Sequence, residues 1–190
     1  MIIQDKKLNK NMEFILSQMV GCELNKIIHD EFTFTNSVYG KVSLFIGDKI
    51  FNILNQLEVV EYYGAKEDIA VLSIKQVEKD EVCSLLKDQK QIAMDVKEII
   101  KSIDIVNYHI YVKVSTKEYD NCFTEGLIFN LGNIQVAFER SSSFIEMIDI
   151  YKGYDLISKF TDVSEYGDDF DNPAIVKTER NIVRINGDFC

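Results

Sequence analysis

The chain is poor both in residues that interrupt structure and in patterns that usually announce chemistry. One proline and nine glycines in 190 residues leave little material for linkers or low-complexity segments, so an ordered chain is expected. No apolar run approaches the roughly 18 residues of a membrane-spanning helix, and the opening Met1-Ile2-Ile3-Gln4-Asp5-Lys6-Lys7 is charged where a signal peptide is apolar. Together these absences predict a cytoplasmic protein. Cys22, Cys83, Cys122 and Cys190 stand far apart with no CxxC pair, which excludes the usual zinc-ribbon pattern. Histidine occurs twice, at His29 and His109, in no HxH, HExxH or HxxxH spacing. The motifs GxxxxGK[ST], GxSxG and GxGxxG are absent, and with them the usual phosphate cradle and nucleophile elbow. By spacing alone, no metal site and no cofactor is expected.

What the chain has in excess is negative charge and apolar bulk. Apolar residues make up 46% of it, enough to fill a core in a single domain spanning residues 1–190. Thirty-one acidic against twenty-one basic side chains give a net charge of −10. Such a surface repels nucleic-acid phosphates and anionic membranes, and a basic protein is the partner it suits.

The hydropathy pattern predicts an α+β fold made mainly of antiparallel β-meanders. Met12, Ile15, Leu16 and Met19 recur at helical spacing and predict an N-terminal helix over 9–19, ended near Gly21. Val42, Leu44 and Ile46 then alternate, and Gly47-Asp48 before the apolar run 50–54 suits a type II′ hairpin. Two more strands are expected at 57–63 and 69–77 around a turn containing Gly64. Val82, Leu85, Leu86, Ile92, Val96, Ile99 and Ile100 return at steps of three and four, which predicts a central helix over 79–91, with 92–104 either helix or strand. Val106, Tyr108, Ile110, Val112 and Val114 give the cleanest alternation. A polar loop is expected over 115–125, then strands at 127–131, 134–139 and 144–150, and a last one through 174–185.

Several landmarks align as a two-fold repeat over 19–77 and 93–160: Gly40 with Gly126, Gly47-Asp48 with Gly132-Asn133, and Gly64 with Gly153. Two unrelated meanders sharing turn glycines would give the same correspondence, so the repeat stands as an alternative.

The most distinctive polar stretch is 161–172. Asp162, Glu165, Asp168, Asp169 and Asp171 face no lysine or arginine there, and Tyr166 and Phe170 are interleaved with them. The DxDxDG order of a calcium loop is missing. Carboxylates steer a cationic partner and aromatics anchor an interface, so these seven residues are the expected contact surface for a basic protein. A second reading is a small enzyme using Cys122 as nucleophile, or His29 and His109 as acid and base. A third is a structural subunit of a larger complex.

The run Gly126-Leu127-Ile128-Phe129-Asn130-Leu131-Gly132-Asn133 through Phe138-Glu139-Arg140, continued by Phe144-Ile145-Glu146-Met147 to Gly153-Tyr154-Asp155-Leu156-Ile157, resembles bacterial immunity-type proteins. These are encoded beside polymorphic or contact-dependent growth-inhibition toxins. The resemblance is one of strand-and-turn texture from Gly126 into the acidic segment. It implies a protein that binds the toxin domain of its own system and blocks it without catalysis.

Overall fold

A computed structural model describes residues 1–86, 88–162, 164–165 and 175–187 of the chain. Among them are twelve strands and one α-helix. The chain begins with β1 (Ile2–Lys6), α1 (Lys10–Ser17), β2 (Glu23–Asp30), β3 (Ser37–Tyr39), β4 (Lys41–Ile46), β5 (Lys49–Tyr62) and β6 (Ala65–Val77). It continues with β7 (Gln91–Ile99), β8 (Ser102–Val114), β9 (Lys117–Asn130), β10 (Gln135–Ser142), β11 (Ile145–Gly153) and β12 (Ile175–Asn186). No helix among the described residues is long and apolar enough to cross a membrane.

The strands form two sheets. In the first the order is β12-β8-β9-β10-β11-β3, and in the second β6-β5-β4-β2-β7. Every pairing is antiparallel except that of β1, which runs parallel to the first part of β9, Tyr119 to Phe123. The rest of the same edge, Gly126 to Asn130, pairs with β10. Apolar side chains of the two sheets meet face to face: Ile27, Leu44, Phe51, Ile53, Leu72 and Ile74 from one, Ile103, Leu127, Phe129, Phe138 and Ile148 from the other. The helix, with the turn after it, closes one end with Leu16 and Met19, both fully buried. Its start is set by Asn9, whose side chain accepts a hydrogen bond from Met12 N at 3.0 Å and satisfies one of the orphan donors of the first turn.

Several expectations hold. The N-terminal helix, the Gly47-Asp48 turn, the alternation at 106–114 and the final strand are all present. Gly47 alone has positive φ, +57°, between the paired residues Ile46 and Lys49, as a type II′ turn requires.

The central helix over 79–91 does not form. Lys79–Glu81 make a single 3₁₀ turn, and Gln91 already opens β7. In β7 the half-buried Ile92, Met94 and Val96 alternate with exposed neighbours against β2, so sheet pairing overrides the three- and four-residue steps. The loop expected over 115–125 is also strand. Ser115 and Thr116 suffice to turn the chain, Val114 pairs with Lys117, and β9 runs on through polar residues. The separate strands at 50–54 and 57–63 are one, β5, paired with β6 as far as Tyr62 and Ala65.

No repeat is shown. Gly40 joins β3 to β4, whereas Gly126 lies inside β9 at a bulge, where Glu125 is the extra residue between the pairs Asn107 with Thr124 and Val106 with Gly126. The two glycines proposed as equivalent therefore do different work.

A candidate partner surface

The acidic segment starts from a fixed point. Thr161 N donates to Glu139 Oε1 at 2.7 Å, and Thr161 O accepts from the Arg180 guanidinium. Beside it, Phe160 seats on Gly126, where a Cβ would lie 2.7 Å from the ring. Asp162 and Glu165 are exposed. The Asp162 carboxylate accepts from Ser164 N at 2.9 Å and Ser164 Oγ at 2.7 Å, and these bonds hold its pKa below the usual value. Tyr166, Asp168, Asp169, Phe170 and Asp171 lie outside the described residues.

Sequence reasoning missed a second surface, at the tip of the β5–β6 hairpin. Along β5 the side chains of Leu57, Val59 and Glu61 emerge on one side. Leu57 is 41% and Val59 68% exposed, and on the neighbouring turn and start of β11 Phe144 is 47% and Ile145 51% exposed. The two stretches are tied together. Leu57 N donates to Glu146 Oε1 at 3.1 Å, and Asn55 Nδ2 donates to the carbonyls of Ile145 and Met147 at 3.1 and 2.9 Å. Phe144 packs edge-on against Tyr62 with ring centroids 5.8 Å apart.

Charge surrounds these apolar side chains unevenly. Between Leu57 and Asp68 the chain carries Glu58, Glu61, Glu67 and Asp68 against a single lysine, Lys66. Only Glu58 takes part in a salt bridge among the described residues, with Lys6 at 2.8 Å. On the other side of β5 the hairpin tip packs on the first sheet, since Val60 and Ile69 are buried with Tyr108, Ile110, Val112 and Phe123. Burial pushes the Tyr62 hydroxyl up to about 12 and raises that of Tyr63 further, so both stay protonated as packing groups.

The histidines do not converge. His29 lies in β2 of the second sheet, its ring stacked on Phe32 at 4.7 Å and Nδ1 at 2.7 Å from Asp30 O. His109 lies in β8 of the first sheet, bonded through Nε2 to Asp120. Cys122 is its cross-strand neighbour, but burial, ahead of the opposing pull of Lys7, raises the thiol pKa. A nucleophile needs the thiolate, so the raised pKa runs against the enzymatic alternative. No family model, no curated protein and no solved structure matches the chain.

Proposed function

We propose that the protein is a non-catalytic binding protein of the immunity type, which captures and neutralises a basic toxin domain in the cytoplasm. The observation that carries this reading is the exposed apolar side chains Leu57 and Val59 on one side of the β5–β6 tip, with Phe144 and Ile145 exposed on the adjoining turn, set among an excess of carboxylates. Large apolar side chains left exposed among charges suit an interaction site, and the sign of those charges selects a cationic partner. The apolar side chains anchor the complex and control its dissociation, while the net charge of −10 speeds association. The segment from Asp162 through Asp171 supplies a further acidic contact.

Co-expression with the toxin domain encoded beside its gene tests the proposal. The parent protein restores growth, and Val59→Lys combined with Ile145→Lys does not. Asp168, Asp169 and Asp171 changed together to Asn slow association at low salt and leave dissociation nearly unchanged. If every variant protects and binds as the parent does, neither surface is the interface and the proposal fails.

A further inference from the structure

Away from the partner surface, the register of the first sheet assembles a row of donor groups that are scattered in the sequence. His109 in β8 faces Cys122 in β9 and, on its other side, Glu179 in β12. Cys122 in turn faces Asp5 of β1. Residues directly opposite in a sheet project to the same side, so Asp5, Cys122, His109 and Glu179 form one line across four neighbouring strands. Asp120, two residues before Cys122, projects to that side as well. Its carboxylate is hydrogen-bonded to His109 Nε2, and a ligand atom from each of His109, Asp120 and Cys122 lies within 4.8 Å of the other two.

The three groups are half-buried, and His109 and Cys122 border a hollow of about 230 Å³ that also reaches Glu179, Asn181 and Lys7. Lys7, its single cationic lining residue, is drawn to Asp5 at 3.4 Å. Glu179 is the one carboxylate of the lining. With Asp120 on His109 and Asp5 on Lys7, three carboxylates stand in or next to the hollow against that one ammonium, which favours a cation there.

We propose that His109, Asp120 and Cys122 bind a borderline divalent cation, Zn²⁺ foremost, through imidazole nitrogen, carboxylate oxygen and thiolate sulfur. This nitrogen, oxygen and sulfur set matches zinc rather than the hard cations, which take oxygen alone. Bonds of about 2.0–2.3 Å to a tetrahedral ion place ligand atoms roughly 3.3–3.8 Å apart, within reach of side-chain rotation from the observed cluster. Three protein ligands leave a fourth position towards the hollow, for water or the Glu179 carboxylate. Binding displaces the Cys122 proton to solvent and replaces the contact between His109 and Asp120 with two metal bonds, so affinity falls as pH falls. This inference is independent of the partner surface, and its test does not use a partner.

The test titrates the purified, metal-stripped chain with Co²⁺ and then Zn²⁺. A variant with Cys22, Cys83 and Cys190 changed to Ser retains Cys122 alone. The expected result is one Co²⁺ per chain with a thiolate-to-cobalt charge-transfer band, present in that variant and removed by Zn²⁺. Cys122→Ser abolishes the band, and Asp120→Asn or His109→Gln weakens Zn²⁺ binding by more than about tenfold. A measurement on the unaltered protein guards against variants that fail to fold: Zn²⁺ slows alkylation of Cys122 by more than about tenfold. Absence of the band together with unprotected Cys122, or a band that survives Cys122→Ser, overturns the proposal.

Discussion

The hairpins β5–β6 and β8–β9 are nearly equal in length and each meets an arginine, one buried and one half-buried, yet the two arginines are held in opposite ways. Where β6 passes the end of β10, Arg140 is almost fully buried and has no carboxylate partner among the described residues. Its guanidinium donates to Ala70 O at 2.6 Å and to the Tyr108 hydroxyl, and lies 5.1 Å from the ring centroids of both Tyr108 and Phe123. At the bulge of β9, Arg180 instead grips buried Glu125 with two bonds, of 2.9 and 2.6 Å. Glu139 is buried close to that pair and brings the number of carboxylates to two for one cation. Where the two hairpins cross, a cation is buried on the rings of β8 and β9 and a carbonyl of β6; at the bulge of β9 it is an excess of acid that is buried. Neither arrangement is the cheapest way to fill a core, because an ion taken from water is stabilised only if every bond is made.

The largest effect is expected at Arg140. Truncation to Ala removes the stem that fills the crossing and leaves Ala70 O and Tyr108 without their donor, a loss of about 3–5 kcal/mol. Arg140→Met keeps the volume and removes the charge. Because no carboxylate is stranded by its loss, Met is expected to recover about half of that difference. Urea midpoints of the three proteins check this, and equal midpoints for Ala and Met show that the guanidinium bonds, not the packing, hold the crossing together.

The acid-rich site predicts a pH dependence that the Arg140 site lacks. Burial, opposed by the hydrogen bond from Thr161 and reinforced by the charge of Glu125, pushes the Glu139 carboxyl up from 4.5 to about 7. In the fold it holds its proton where the unfolded chain has lost it. Its contribution to stability is therefore full below the unfolded value and is lost as pH rises through the folded one, by about 3 kcal/mol at most. Glu139→Gln removes this slope. The difference in urea midpoint between variant and parent is expected to grow in favour of the variant from about pH 5 to about pH 8, and a constant difference refutes the assignment. Thr161 is bonded to both Glu139 and Arg180, so the change is felt where the acidic segment begins.

The two hairpins also differ in how much the sequence revealed. The alternation of Val106 to Val114 in β8 was plain because one side is apolar, but β9 answers it with Lys117, Glu118, Asp120 and Asn121, which read as loop. Asn121 and Thr124 are nevertheless buried, their positions dictated by pairing rather than by hydropathy. With β9 read as a loop, His109 and Cys122 have no reason to meet, and the cluster they form with Asp120 stays hidden. Gly126 looked like a turn signal, yet it is glycine because Phe138 O would lie 2.3 Å from a Cβ there. In β5 the strand character of Leu57 and Val59 was legible but their exposure was not, since only the arrangement of β6 and β11 decides which side of the tip remains open. Helix α1 was legible because a cap and a one-sided apolar stripe are both local.

The smallest expected effect separates the two turns. Both begin with a non-glycine residue in the left-handed region, Tyr63 at φ +52° and Ser115 at φ +56°, a conformation that costs an L residue roughly 1 kcal/mol. In the β5–β6 turn the cost is offset by packing, since the Tyr63 ring lies 4.3 Å from that of Tyr62 and 5.7 Å from that of Tyr119. Ser115 is exposed and has no such contact. Ser115→Gly therefore relieves strain at the first position of a two-residue turn, while glycine adds entropy to the unfolded chain, for a net gain of about 0.5 kcal/mol. Tyr63→Gly relieves the same strain but empties a packed site and is expected to destabilise. Urea midpoints that move in opposite directions establish that packing, not turn geometry, maintains Tyr63; midpoints that both rise would mean that the aromatic contacts of the β5–β6 tip contribute little, and that the tip is less firmly seated than its buried neighbours imply.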